Sequence, residues 1–257
     1  MKRLAAANPD AIDSEIVEQV RLATADPVIQ LVVVAIALLY RSSIDSYESE
    51  ELLYIKSIAI NKEQLGDRHP HTARSLNNLA ALYRTMGRYD AAEPLYLEAI
   101  EIKKEQLGDR HPDTAKSYGN LGGLYTGMGF YDMAETLYVK ALEIIKEQLG
   151  DRHPDTAQSL NNLAVLYEAM GRYEAAEPLH LEAMEIRKEQ LGDRHPDTAT
   201  SVLNLAAHYY NTHQHQKALA FIQEALPIYI QTLGSKHPAT QNANGWLQAI
   251  QQAIANQ

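Results

Sequence analysis

One turn is written five times along this chain, and it restricts the fold more than any other feature. The string "LGDRHPDTA" occupies 107–115, 149–157 and 191–199 unchanged, with "LGDRHPHTA" at 65–73 and "LGSKHPATQ" at 233–241. Its glycines, Gly66, Gly108, Gly150, Gly192 and Gly234, are each 42 residues apart. A fixed period of this kind belongs to arrays whose units touch mainly their neighbours. The 257 residues are therefore read as one elongated domain, not as two separate cores.

Between two copies of the turn lies "TARSLNNLAALYRTMGRYDAAEPLYLEAIEIKKEQL" at 72–107. In its first half Leu76, Leu79, Ala80 and Tyr83 recur at three- and four-residue steps, the apolar stripe of an amphipathic helix. This places a helix A at about 71–86. Gly87 suits a left-handed helix end, and Tyr89, Ala92, Tyr96, Ala99, Ile100 and Ile102 then restart the stripe as a helix B at about 89–106. Small Ala80, Ala92 and Ala99 fall where paired helices approach closely, so the unit is a helical hairpin. Gly108 ends helix B, Asp-Arg-His forms the connection, and Pro112 enters the first turn of the next helix A, where its missing N–H costs least. Pro94 and Pro178 fall early in helix B, so a modest kink is the most expected of them.

The order Ala80, Tyr83, Gly87, Tyr89, Ala92, Tyr96, Ala99 resembles the tetratricopeptide repeat, whose usual unit is 34 residues. Here helix B and its loop are longer, and "LNNLAALY", "AAEPLYLEAIEI" and "LGDRHPDTA" together resemble repeats of the kinesin light chain over 71–233. The resemblance implies an all-α, right-handed α-solenoid superhelix of stacked antiparallel helix pairs. Five hairpins are expected at about 28–70, 71–112, 113–154, 155–196 and 197–238, with an N-terminal capping helix in 1–27 and a C-terminal one in 239–257. The first hairpin is one residue out of phase, because Tyr40 and Tyr47 are seven apart where Tyr83 and Tyr89 are six apart. No heptad segment precedes the array, so coiling with a motor heavy chain is not expected.

Stacked hairpins of this type curve, with the A helices on the concave side, and that side is the expected site. With Leu76, Leu79 and Tyr83 in the core, the inner face of the first closely matching repeat is left with Arg74, Asn77, Asn78, Ala81, Arg84 and Thr85. The same offsets supply Lys116, Gly119, Asn120 and Gly123, then Asn161, Asn162 and Glu168, then Leu203, Asn204 and Tyr210. One position never varies: Asn78, Asn120, Asn162 and Asn204. An amide both donates and accepts, so such a ladder suits the backbone of an extended peptide. In the families resembled, Asn at this position is often used in that way. The alternative is that each amide bridges adjacent A helices. Asn77, Asn161 and Leu203 are expected beside the ladder. Arg74, Arg84 and Lys116 make its early end basic and suited to an acidic segment, or are only a solvated charged face. Gly119, Gly123 and Gly127 leave a bare wall for a ligand side chain or for close helix contact.

The turn histidines, His69, His111, His153, His195 and His237, are too far apart to share an ion and are expected to cap helices. His208, His213 and His215 lack metal-site spacing, and His213 stands where earlier repeats have Gly, as in a degraded turn. No phosphate loop, nucleophile elbow or paired-carboxylate signature is present, so neither catalysis nor a cofactor is expected. Net charge of −10 disfavours nucleic acid and anionic membrane surfaces as partners. The apolar run 28–40 is too short to span a bilayer, and the absence of Cys fits the cytoplasm. The expected function is a non-catalytic scaffold, monomer or weak homodimer, holding an extended peptide of an unidentified protein in its groove. The alternatives are a self-associating structural spacer and a regulatory subunit of an enzyme.

Overall fold

The computed structural model describes residues 47–256. Among them all regular structure is helical: α1 (Tyr47–Leu65), α2 (Pro70–Thr85), α3 (Tyr89–Leu107), α4 (Pro112–Met128), α5 (Tyr131–Leu149), α6 (Pro154–Ala169), α7 (Tyr173–Leu191), α8 (Pro196–Asn211), α9 (His215–Leu233) and α10 (Pro238–Ala255). The expected capping helix in 1–27 and the apolar helix A near 28–41 lie outside the described residues. The backbone divides between Ser57 and Ile58 into two compact units. Of the first, the described part opens α1, where the Tyr54 hydroxyl donates to Glu50 at 3.3 Å. The second is a solenoid of helix pairs, α2–α3, α4–α5, α6–α7 and α8–α9, each hairpin packed on the next, with α10 against α9.

Each letter of the repeated turn has a task. Gly66, Gly108, Gly150, Gly192 and Gly234 adopt φ of 98, 100, 96, 87 and 86°, a region that side-chain-bearing residues rarely enter. The glycine carbonyl accepts the N–H of the histidine three residues on and the hydroxyl of Thr72, Thr114, Thr156, Thr198 or Thr240, at 2.7 to 3.0 Å for the hydroxyls. Each histidine is the N-cap, as expected, and its Nδ1 accepts the backbone N–H two residues later at 3.1 to 3.2 Å. Proline fills the first helical position, where no acceptor exists for the N–H it lacks. The threonines then turn inward and are fully buried. The helices continue through Pro94 and Pro178, and also through Pro227 inside α9.

The hairpins close on small residues. Ala80, Ala92 and Ala99, like Ala134, Ala176 and Ala218, have no exposed surface, which lets the helix axes approach while Leu76, Ile102, Tyr96 and their counterparts fill the flanks. A polar thread runs through this interior with twice the period of the turn. Asn77 and Lys103 both donate to Ser117 Oγ, at 2.8 and 2.9 Å, and Asn161 and Arg187 both donate to Ser201 Oγ at 3.0 Å. Between the two sets every residue number rises by 84 (161−77, 187−103, 201−117), two hairpins. The turns carry a second ladder, in which Arg68, Arg110 and Arg152 pair with Glu105, Glu147 and Glu189 on the B helix of the following repeat. These pairs are exposed and contribute register more than stability.

Candidate functional site

The two asparagines written side by side in "LNNLA" do different things. Asn77 and Asn161 are 5% and 3% exposed, and they carry the inter-repeat bridges just described. This corrects the expectation that they line the ligand face: the helix turns about 100° between adjacent residues, and that rotation carries the first amide of each pair into the repeat junction. The second amide stays outside. Asn78 and Asn120 are exposed, and Asn162 and Asn204 are half-buried. Gln158 donates to Asn162 Oδ1 at 2.8 Å, and among the described residues the side chains of Asn78, Asn120 and Asn204 make no hydrogen bond within the protein. The bridging role therefore belongs to Asn77 and Asn161.

The cations at the early end are unequal. Arg74 is exposed on α2. Lys116 is engaged, its Nζ lying 2.9 Å from Asp155 Oδ2. Lys103, absent from the sequence-based site, lies beneath them. Burial holds its ammonium below the usual lysine range, Asp113 opposes this, and Lys116 and Arg74 press it lower still. Arg84 lies across the next helix, where a methyl group at Gly123 would collide with its Nη1. The wall expected to be bare is thus partly occupied. A Cβ at Gly122 would meet the Tyr138 ring at 3.1 Å, and one at Gly127 would meet the Tyr89 hydroxyl at 3.2 Å. At Gly119 the nearest atom, Asn162 Nδ2, would stand 3.7 Å away, which is ordinary contact.

Toward the C-terminal end the face becomes aromatic. Leu203 is half-buried and packs on the core shared by α8, α9 and α10. Tyr210, in the register of Arg84, meets Trp246 edge to face with ring centres 5.6 Å apart. Trp246 stands 42 residues beyond Asn204 and so occupies the ladder position on α10, a continuation the composition of that helix concealed. His213 has φ of 60°, the left-handed conformation of the glycine it replaces. Among the described residues no group of three His, Asp or Glu side chains is placed to hold a metal ion, and no helix is long and apolar enough to cross a membrane.

Tyrosines tie the repeats together along one rim. Tyr125, Tyr167 and Tyr209 donate to Glu93, Glu135 and Glu177 of the preceding B helix at 2.7, 2.9 and 2.6 Å. Burial first, and the carboxylate second, push the Tyr125 and Tyr209 hydroxyls up to about 12.

These stacked hairpins, capped alike and bridged through their A helices, define an α-solenoid. The tetratricopeptide repeat profile matches residues 35–105, 87–129, 113–189 and 160–231, and the chain belongs to that family. Its repeats are of the kinesin-light-chain-like type. Among solved structures it is similar to BtubC (BKLC) from P. vanneervenii, at 25% identity and a TM-score of 0.66, over 82% of this chain and 85% of that one. It is also similar to a Podosopora anserina protein with nearly identical TPR-like repeats of the kinesin light chain kind, seen in two structures. These match at 25% identity, with TM-scores of 0.59 and 0.56, over 77% of this chain and 93% of theirs. No curated protein matches the chain.

Proposed function

We propose that this tetratricopeptide protein captures an extended peptide of a partner protein along its A-helix face without catalysing a reaction. The family is of the protein-interaction scaffold type. The observation that carries the finer reading is the division of labour between neighbouring amides: Asn77 and Asn161 bridge the repeats, which leaves Asn78, Asn120, Asn162 and Asn204 at one register on the surface. Amides so spaced can donate to and accept from a peptide backbone whatever its side chains are. Arg74, with Arg84 over Gly123, favours an acidic segment at the early end of the face, and Lys116 contributes charge through its pair with Asp155. A reducing cytoplasm is the setting this cysteine-free chain suits.

Selection from a peptide library tests the reading, with the wild-type chain set beside a variant carrying Asn78→Ala, Asn120→Ala, Asn162→Ala and Asn204→Ala. The expected result is a motif enriched by the wild type and lost by the folded variant. An acidic motif that weakens with salt and with Arg74→Glu assigns the basic end. Equal enrichment by both proteins, or none by either, overturns the assignment of the ladder.

A further inference from the structure

Among the described residues four turns join an A helix to a B helix, along the rim where the tyrosines donate to glutamates, and the second turn breaks the pattern. Phe130 stands where the others have Arg88, Arg172 and Gln214, and Met133 stands where they have Ala91, Ala175 and Lys217. Each of the two is 49% exposed. They lie three residues apart at the start of α5 and so share a face of it. Arg88 and Arg172 lie over the rings of Tyr83 and Tyr167 at 4.2 and 4.1 Å, and Phe130 meets the equivalent ring of Tyr125 at 6.3 Å between centres. The packing role is kept, while the charge that suits this position to water is lost. One exposed apolar side chain needs no explanation, but two on one face, at one turn of the four, form a patch.

A hollow of about 560 Å³ adjoins the patch, lined by Tyr89 and Ala91 of the first turn and by Gly127, Met128 and Phe130 of the second. Ala91 faces the second turn across this hollow, so by the same register Met133 faces the third. The flanks carry both signs in the same order, Arg88 and Asp90 at the first turn, Arg172 and Glu174 at the third, and all four residues are exposed. Asp90 and Glu174 form no ion pair among the described residues, and Arg172, 3.2 Å from Glu135, has further N–H donors. An apolar centre between charged flanks is the anatomy of a protein–protein contact.

A two-fold axis through the second turn lays the first turn of one copy on the third turn of another. Arg88 then meets Glu174 and Asp90 meets Arg172, opposite signs in both directions. The same axis brings Met133 of each copy to the hollow of the other, and an unbranched, adaptable side chain suits such a space. Self-complementarity in charge and in shape is what an isologous contact requires.

We propose that this rim is a homodimer contact, in which two copies of the chain associate through Phe130 and Met133 about a two-fold axis at the α4–α5 turn. The two exposed Asp132 side chains approach that axis together, and their like charge keeps the association weak and reversible. The contact does not depend on what the A-helix face binds.

Sedimentation equilibrium of the whole chain, from micromolar to millimolar concentration, tests it. The wild-type mass should rise with concentration toward that of a dimer. Phe130→Arg/Met133→Ala, built from residues the repeat already uses at these positions, should keep the circular dichroism and Tm of the wild type and weaken association by about tenfold or more. Asp90→Arg/Glu174→Arg, which sets like charges against each other across the axis, should weaken it as well. A wild-type mass that stays monomeric throughout, or association that survives either variant unchanged, overturns the proposal.

Discussion

Asn77 donates its side-chain amide to Ser117 Oγ at 2.8 Å, joining α2 to α4 across 40 residues of sequence, while Asn78 beside it is left on the surface. Exchanging either residue for alanine therefore has separable consequences. Asn77→Ala removes one of the two donors to Ser117 Oγ and should cost about 0.5–1.5 kcal/mol in urea unfolding. Asn161→Ala should cost more, because Asn161 also holds His180. Asn78→Ala should leave stability within about 0.5 kcal/mol and act on peptide capture alone. Equal losses at Asn77 and Asn78 would contradict this separation.

His213 holds the left-handed backbone that Gly87, Gly129 and Gly171 hold in the three preceding A-to-B turns. That conformation costs a residue with a Cβ roughly 1–2 kcal/mol, part of which a glycine gives back through the freedom of its unfolded chain. His213→Gly should consequently stabilise the array by about 0.5–1 kcal/mol, visible as a small rise in Tm. A fall in Tm would mean that the ring contact of His213 with His215, 5.9 Å between centres, outweighs the backbone cost.

Alkaline pH should loosen the repeats through their tyrosines. Burial first, opposed by Arg84, raises Tyr96 to about 12, and burial followed by Glu93 and Glu177 raises Tyr125 and Tyr209 to about 12 as well. The unfolded chain ionises near the ordinary tyrosine value of 10.0. The folded state therefore retains protons that the unfolded state releases. The stability they contribute is full below about pH 10 and is lost as pH climbs toward about 12. Far-ultraviolet circular dichroism and tyrosinate absorbance, followed together, should change in one transition in that window. Tyrosinate forming well before helix is lost would place these hydroxyls in water.

Much of the solenoid was legible because its signals are local. Helices expected at about 71–86 and 89–106 occur at Pro70–Thr85 and Tyr89–Leu107, since Gly87, Gly108 and the His–Pro pairs set their ends through bonds a few residues long. The candidate face was less legible because its decisive contacts cross repeats. Nothing within "LNNLA" says which amide reaches Ser117, and nothing at Gly123 says that Arg84 from the previous hairpin will lie on it. His180 and Glu168 come together only through the fold. A comparison of the copies by register would have marked His180 and His208, where Tyr and Leu are the rule, and would have found Trp246 at the end of the asparagine series.

The identical turns make the length of this protein an editable quantity. If the chain is cut after His111 and rejoined at Pro154, the junction is again His-Pro-Asp-Thr-Ala, with the same cap and the same inward threonine. The bridging partner survives the cut as well, because the position of Ser117 is also serine at 159 and 201, so Asn77 meets a hydroxyl whether one hairpin is removed or two. A gene that writes its joints in the same letters can gain or lose a hairpin in a single recombination, and every product inherits the same turn.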